Sequence, residues 1–301
     1  MQSLMLTANL FGIFNLKVTN YITTTVKKFC EENNIKYIQC GANSLESLGL
    51  NLKEFPTAYY NISGFPNDQH YRFLRYLELN KVKYINSVNS EIVADDKMLS
   101  YLELKYNGIE VVDTISLGQI FDNSQDNIIE QIEDLIGYPC VIKPTKLGLG
   151  MGVVKCDNKY QLSEILGLIF ATDSRKYGSI NYNNFIVQKF VLSTFGQKYR
   201  FVLFKDTPLV WAHHRNTQGY WKVNYATTTE RELSDPPNSI VDLGIKIHDI
   251  LNLNFSGMDF HVCQDKFIIN EINPIPSLEI LDKIYNKKII EYVLKNLFIN
   301  N

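Results

Sequence analysis

The chain has 301 residues, 45% of them hydrophobic, enough for about two domains with a sizeable core, which excludes wholesale disorder. A net charge of -2 gives no footing for general nucleic-acid or membrane-surface binding. No run reaches the roughly 18 apolar residues of a membrane-spanning helix.

The opening "MQSLMLTANLFGIFNLK" lacks a basic leader and reads as a strand (3–8) and loop, not a signal peptide. "VTNYITTTVKKFCEEN" (18–33) has apolar residues at 18, 22, 26 and 29, which is helical spacing. Strands are expected at 35–40 and 82–86, with a helix over 68–80 between them. This β-α-β alternation predicts a small parallel α/β domain over 1–118. A single helix over 90–108 and a strand over 109–116 close it. A helix (125–136) then leads into "YPCVIKP", and another covers 157–170. From 185 to 228 the runs "FIVQKFV", "YRFVLF", "PLVWAHHR" and "YWKVNYATT" predict a largely antiparallel sheet. A helix (239–253), the strands "FSGMDFHV" and "FIINEI", and a terminal helix (284–298) complete the pattern. The overall fold class is α/β, with an α+β second half.

The five cysteines (Cys30, Cys40, Cys140, Cys156, Cys263) are odd in number and form no CxxC pair. They read as buried groups in a reduced, cytoplasmic protein. The histidines show no zinc spacing, and His213–His214 reads as strand surface.

"VIKPTKLGLGMGVVKC" (141–156) sets three glycines between two strand-like runs, with Lys143 at the entrance. A dinucleotide-binding fingerprint would open a helix here, and a Walker A loop would end in GK[ST]; neither holds. Two readings stay open: a plain hairpin turn, and a flap whose glycines bring backbone N–H groups close to phosphate oxygens.

A hairpin of the two late strands centred on Asp265 places Asp259 opposite Glu271, with Asn273 on the same face. Like charges opposed on apolar strands call for a cation, the plainer alternative being polar residues at an exposed strand end. Two carboxylates and an amide suit Mg²⁺, which keeps waters and substrate phosphates as further ligands.

With these parts in order, the chain resembles the ATP-grasp superfamily and, within it, the RimK-like carboxylate–amine ligases. The resemblance runs from about Lys81 to the C-terminus. It rests on "KYINSVNSEIVADDKMLSYLELKYNGIEVV", "YPCVIKPTKLGLGMGVV", "FIVQKFV", "KYRFVLF" and "GMDFHV" with "FIINEINPIPSLE". It implies an N-terminal pre-ATP-grasp domain (1–118) and an ATP-grasp region (119–301), divided into a flap part (about 119–190) and a metal-bearing part (about 191–301). It implies that Lys97 and Lys143 contact ATP phosphates beneath a flap of Gly148, Gly150, Met151 and Gly152. Gln188, Lys189, Phe190 and Val191 would hold adenine. Asp259, Glu271 and Asn273 would bind Mg²⁺, with Mn²⁺ able to replace it. Arg200 and Lys143 would be catalytic, and Arg215 and Asn224 would touch the acceptor.

The implied reaction joins a small-molecule, amino-acid or peptide carboxylate to an amine through an acyl phosphate, releasing ADP and phosphate. Other readings are a kinase on the same fold and a weakly active nucleotide-binding module. Nucleic acid and membrane are not expected partners, and self-association stays open. Departures from the family pattern are Leu147 and Leu149 between the flap glycines, Lys189 in the hinge and Lys198 where an acidic residue is usual.

Overall fold

The computed structural model describes residues 4–9, 18–35, 39–40, 58–63, 68–119, 124–172, 184–224, 226–263 and 266–299. Three sheets organise the chain. In the first, β1 (Leu4–Asn9) pairs in parallel with β2 (Gln39–Cys40) and β3 (Ala58–Ser63) on either side. Residues 36–38 of the expected strand lie outside the described residues. α1 (Val18–Glu32) links β1 to β2, and α2 (Asp68–Leu79) follows β3. Ile22, Val26 and Phe29 recur at helical spacing, so α1 buries one face. That face enters a core shared with the far end of the chain.

The expected strand at 82–86 is instead a link. Lys81 and Asn86 are left-handed, with φ of 58° and 56°, which breaks an extended run. Asn86 is buried, and its amide ties the link to distant backbone. Nδ2 donates to Phe255 O (2.8 Å) and Pro274 O (2.7 Å). Oδ1 accepts from Asn254 N (2.9 Å) and Phe255 N (3.1 Å).

The single helix expected over 90–108 is two, α3 (Val88–Asp95) and α4 (Lys97–Tyr106). Asp96 leaves the helical region (φ -88°, ψ 112°), and its carboxylate accepts from Met98 N and Leu99 N. A carboxylate that caps the following turn cannot also continue the preceding one. Of 109–116 only β4 (Thr114–Ser116) is a strand.

The second sheet has the order β4-β7-β5-β6, all antiparallel, with β5 (Cys140–Pro144), β6 (Val154–Cys156) and β7 (Phe185–Lys189). α5 (Gln125–Leu135) and α6 (Lys159–Thr172) cover it through Ile128, Ile132, Leu162 and Leu166.

The third sheet is antiparallel, in the order β10-β9-β8-β11-β12. Its strands are β8 (Gln197–Phe204), β9 (Thr207–Arg215), β10 (Glu230–Leu233), β11 (Phe255–Cys263) and β12 (Lys266–Asn273). The antiparallel expectation holds, but β7 belongs to the second sheet. The run 220–224 is turn and loop, not strand. Asn216 Oδ1 accepts from Gln218 N and Tyr220 N, and Asn224 Oδ1 from Ala226 N and Thr227 N. These local bonds compete with a ladder.

α7 (Asn238–Leu251) packs Ile240, Ile247 and Leu251 on one face of this sheet, against Phe201, Leu203, Met258 and Phe260. The other face is divided. Val202, Phe204, Val210 and Phe255 meet α1, α8 (Leu278–Tyr285) and α9 (Ile289–Phe298). Further along the same strands the side chains turn charged. The helix expected at 284–298 is thus α9 alone plus the end of α8. Asn286 is left-handed (φ 49°) between them, and Asp282 Oδ1 accepts from Ile289 N.

Asn86 generates a test of this scheme. Asn86→Ala removes four hydrogen bonds and leaves buried backbone groups unpaired, so it should destabilise the protein by about 3 kcal/mol in urea denaturation. A loss below about 1 kcal/mol would show that the link is held elsewhere.

Candidate active site

The charged half of the third sheet is built on an irregularity in its last hairpin. Near the turn, Cys263 pairs with Lys266, Val262 with Phe267 and Phe260 with Ile269. Beyond a bulge, Asp259 pairs with Glu271 and Gly257 with Asn273. Asn270 is the extra residue. The expected opposition of Asp259 and Glu271 is present, yet it comes through the bulge and not from a symmetric hairpin. Residues 264 and 265, including the expected centre, lie outside the described residues. Without the bulge, Asp259 would face Asn270 and Glu271 would point into the core.

Both carboxylates, buried Asp259 and half-buried Glu271, carry cations. Arg200 is the cross-strand partner of Asp259 on β8. Its Nη2 donates to Asp259 Oδ2 (3.1 Å), and its Nε lies 2.7 Å from Oδ1. That second contact is ionic but off hydrogen-bond alignment, which leaves buried Oδ1 without a hydrogen-bond donor. Lys198, two residues along the same face, donates to Oδ2 at 2.8 Å. Burial alone would raise the Asp259 carboxyl. Arg200 and Lys198 more than offset it and bring it to about 2.

Glu271 lies 3.0 Å from Lys97 Nζ. Burial again pushes upward, and Lys97 and Lys143 hold this carboxyl below its usual range. The break at Asp96 delivers Lys97, which starts α4 and also donates to Leu147 O at 2.8 Å. Lys143, on β5, is 5% exposed and donates to Asn270 Oδ1 at 3.3 Å. Burial, with Lys97 and Lys198 nearby, pushes its ammonium down to about 8 against the pull of Glu271 and Asp259.

These groups line a cleft of about 270 Å³ between the second and third sheets. Lys97, Lys143, Gly148, Gly150, Gln188, Lys189, Phe190, Val191, Arg200, Asn224, Asp259, Glu271 and Asn273 all border it. Met151 and Gly152 sit in the same glycine segment but are not among the lining residues. Arg215 is elsewhere: Nη2 donates to Glu232 (3.3 Å), and Nε is 3.2 Å from Glu230.

Lys198, His214, Trp221, Lys222, Arg231 and Tyr285 border the cleft without having been assigned to it from sequence. Alternation with Arg200 could have revealed Lys198. Arg231 needs the pairing of β10 with β9, where it opposes His214. His214 is not strand surface. It is buried with Nε2 2.6 Å from Tyr285 Oη, and burial, Lys198 and Arg200 push it down to about 3. His213 points the other way and stacks on Tyr199, centroids 4.3 Å apart.

The donor set fits a hard cation. Asp259 and Glu271 offer carboxylate oxygens on one face, and Asp259 Oδ1 is a buried acceptor lacking a donor. Asn273 Oδ1 lies beside them and accepts from Ile275 N (3.0 Å). Among the described residues no three His, Cys, Asp or Glu converge. The protein thus offers a partial donor set, of the kind that Mg²⁺ sites commonly fill out with waters and other oxygen ligands.

The charge balance makes a measurable prediction. Asp259→Asn strands Arg200 and Lys198 beside each other and should cost about 3 kcal/mol in the ligand-free protein. Adding Lys198→Met should recover part of that loss, giving a coupling of about 1 kcal/mol or more in a double-mutant cycle. Additive effects would show that the two groups do not interact.

Comparison with known proteins places the fold and the family. The chain is 24% identical over 217 residues to an alpha-aminoadipate–LysW ligase of Sulfurisphaera tokodaii, covering 71% of each chain. It is 26% identical over 208 residues to human N-acetylaspartylglutamate synthase A, covering 69% of this chain and 50% of that one. The crystal structure of D-alanine–D-alanine ligase from Bacillus anthracis superposes with a TM-score of 0.73 at 20% identity, covering 100% of this chain and 96% of that one, which shows the shared fold. The model of the RimK-like ATP-grasp domain matches residues 94–297, and the chain belongs to that family.

Proposed function

We propose that this chain is an ATP-dependent carboxylate–amine ligase that forms an amide through an acyl phosphate and releases ADP and phosphate. One observation carries the reading: Lys97, Lys143 and Arg200 converge on the Asp259–Glu271 pair in one cleft beneath a glycine flap. The names of the relatives, ligases and a synthase, support the same class of reaction.

In the first step a carboxylate oxygen of the acid bonds to the γ-phosphorus, and the bond to the β-γ bridging oxygen breaks, freeing ADP. In the second, the amine nitrogen bonds to the acyl carbon, phosphate leaves, and the nitrogen gives up a proton. Mg²⁺ held by Asp259, Glu271 and Asn273 would offset phosphate charge when bound. Lys143 and Lys97, both beside Glu271, steady the phosphates. Arg200 is fixed in orientation by Asp259 and faces the acyl oxygen on which charge develops. The flap covers the phosphates and shields the acyl phosphate from water. Gln188, Lys189, Phe190 and Val191 form the adenine wall. The division into residues 1–118 and 119–301 belongs to the same proposal, as does the acyl acid and amine pair as substrates.

Two measurements test this. With Mg²⁺, ATP and the correct acid, ADP and phosphate should appear, and hydroxylamine should trap a hydroxamate. AMP formation would defeat the mechanism, and a phosphate ester product would replace it with a kinase. Arg200→Ala should lower turnover about a hundredfold with less effect on ATP binding.

Lys143 sets a pH dependence. Its proton is lost around pH 8 in the free protein, and phosphate binds the charged form. The Mg–ATP Kd should therefore rise above pH 8, approaching about tenfold per pH unit. Lys143→Arg keeps its charge and should hold Kd level up to about pH 10. A wild-type Kd that is constant from pH 7 to 10 would contradict this charge assignment.

A further inference from the structure

The glycine segment is gripped from outside the second sheet, and by its carbonyls. Lys222 Nζ donates to Gly150 O (3.2 Å) and Val153 O (2.6 Å). Asn224 Nδ2 donates to Leu149 O (3.0 Å). The fit is close: a Cβ on Gly150 would lie 2.8 Å from Asn224 Nδ2 and 3.2 Å from Lys222 Cδ. The flap backbone is also unusual. Leu147, Leu149, Gly150 and Gly152 all have positive φ, at 92°, 60°, 73° and 67°. Two leucines in that region are disfavoured and need outside contacts to stay there.

The gripping segment is itself anchored. Asn216 Nδ2 donates to Thr227 O (2.5 Å), and Thr227 Oγ1 donates to Lys222 O (2.8 Å). Its other anchor is the hinge. Gly196 N donates to Trp221 O (3.0 Å), and Trp221 meets Phe190 edge-on, centroids 5.8 Å apart. The segment between β9 and β10 thus bridges the hinge wall of the cleft to the flap.

We propose that Lys222 and Asn224 are the positioning residues of the flap. They hold it shut through its carbonyl edge, so that the opposite edge of its backbone is presented to the cleft. Asn224, expected from the family resemblance to touch the acceptor, borders the cleft and also takes this role. A donor pair on a segment rooted in the hinge also makes flap closure depend on hinge packing. The meaning of this grip rests on the ligase reading, because a flap over phosphates is part of it. Its test does not.

Hydrogen exchange of the nucleotide-free full chain is the direct measurement. In Lys222→Met, the amide of Met151, which donates to Gly148 O, and those of β6 at the flap base should exchange about tenfold faster or more, while β8 and β11 keep wild-type protection. Lys222→Arg restores two donors and should return exchange to within about threefold of wild type. Asn224→Ala should act on the same amides and in the same direction. In the same variants Mg²⁺ with the non-hydrolysable analogue AMP-PNP should dissociate about tenfold faster, without a comparable change in the melting temperature. Unchanged flap exchange in the Lys222→Met, Asn224→Ala double variant would overturn the proposal. So would faster exchange spread equally over β8 and β11, which would reduce the pair to a structural role. Failure of wild-type protein to bind Mg–AMP-PNP would count against the ligase reading alone, since flap exchange is measured without nucleotide.

Discussion

One residue too many in β12 sets the geometry of the cleft. Asn270 is the bulged position, and it turns Glu271 from the core face to the face of Asp259. A buried carboxylate beside a half-buried one is untenable alone, so the surrounding elements must bring cations to them. Arg200 and Lys198 come from β8, Lys97 from the start of α4, and Lys143 from β5. Lys143 donates to the bulged Asn270 itself. The bulge therefore fixes where the second sheet and α4 must stand relative to the third sheet.

That arrangement is poor as a source of stability and good as a site. Desolvating two carboxylates and their lysines costs several kcal/mol, which the pairings only roughly offset. What the pairings secure is position. Every charged group already stands at its place, with Lys97 beside Glu271, Lys198 and Arg200 on Asp259, and Lys143 on Asn270. The apolar half of the same face, where Val202, Phe204 and Phe255 meet α8 and α9, supplies the stability that the charged half does not.

Much of this was legible in residue spacing, where local pattern and tertiary environment agree. The α1 face repeats at 22, 26 and 29, and it is the face that packs. The core positions of β12 are 267, 269 and 272, a step of two followed by a step of three, but Ile268 hides that step in the sequence, which reads as a symmetric hairpin instead. Legibility failed where side chains compete for the backbone. Asp96 caps and so divides a helix whose periodicity runs on through it. Asn216 and Asn224 hold 216–220 and the residues from 226 to 229 in turns and loop, although Tyr220 and Trp221 look like part of a strand. Lys222 and Arg231 could not be assigned, because nothing local to them says that a flap carbonyl or His214 will be opposite. Arg215, expected to touch the acceptor, pairs with Glu230 and Glu232.

The chain has two tryptophans, and the fold sends them to opposite kinds of surroundings. Trp211 is 4% exposed, wedged between Tyr199, Phe201 and Phe267 beneath the third sheet. Trp221 stands at the cleft rim against Phe190, next to the lysine that grips the flap. One indole is thus a constant emitter and the other a sensor of the cleft wall. The protein carries its own optical reference and its own probe, so flap and hinge events can be followed by intrinsic fluorescence without adding a label.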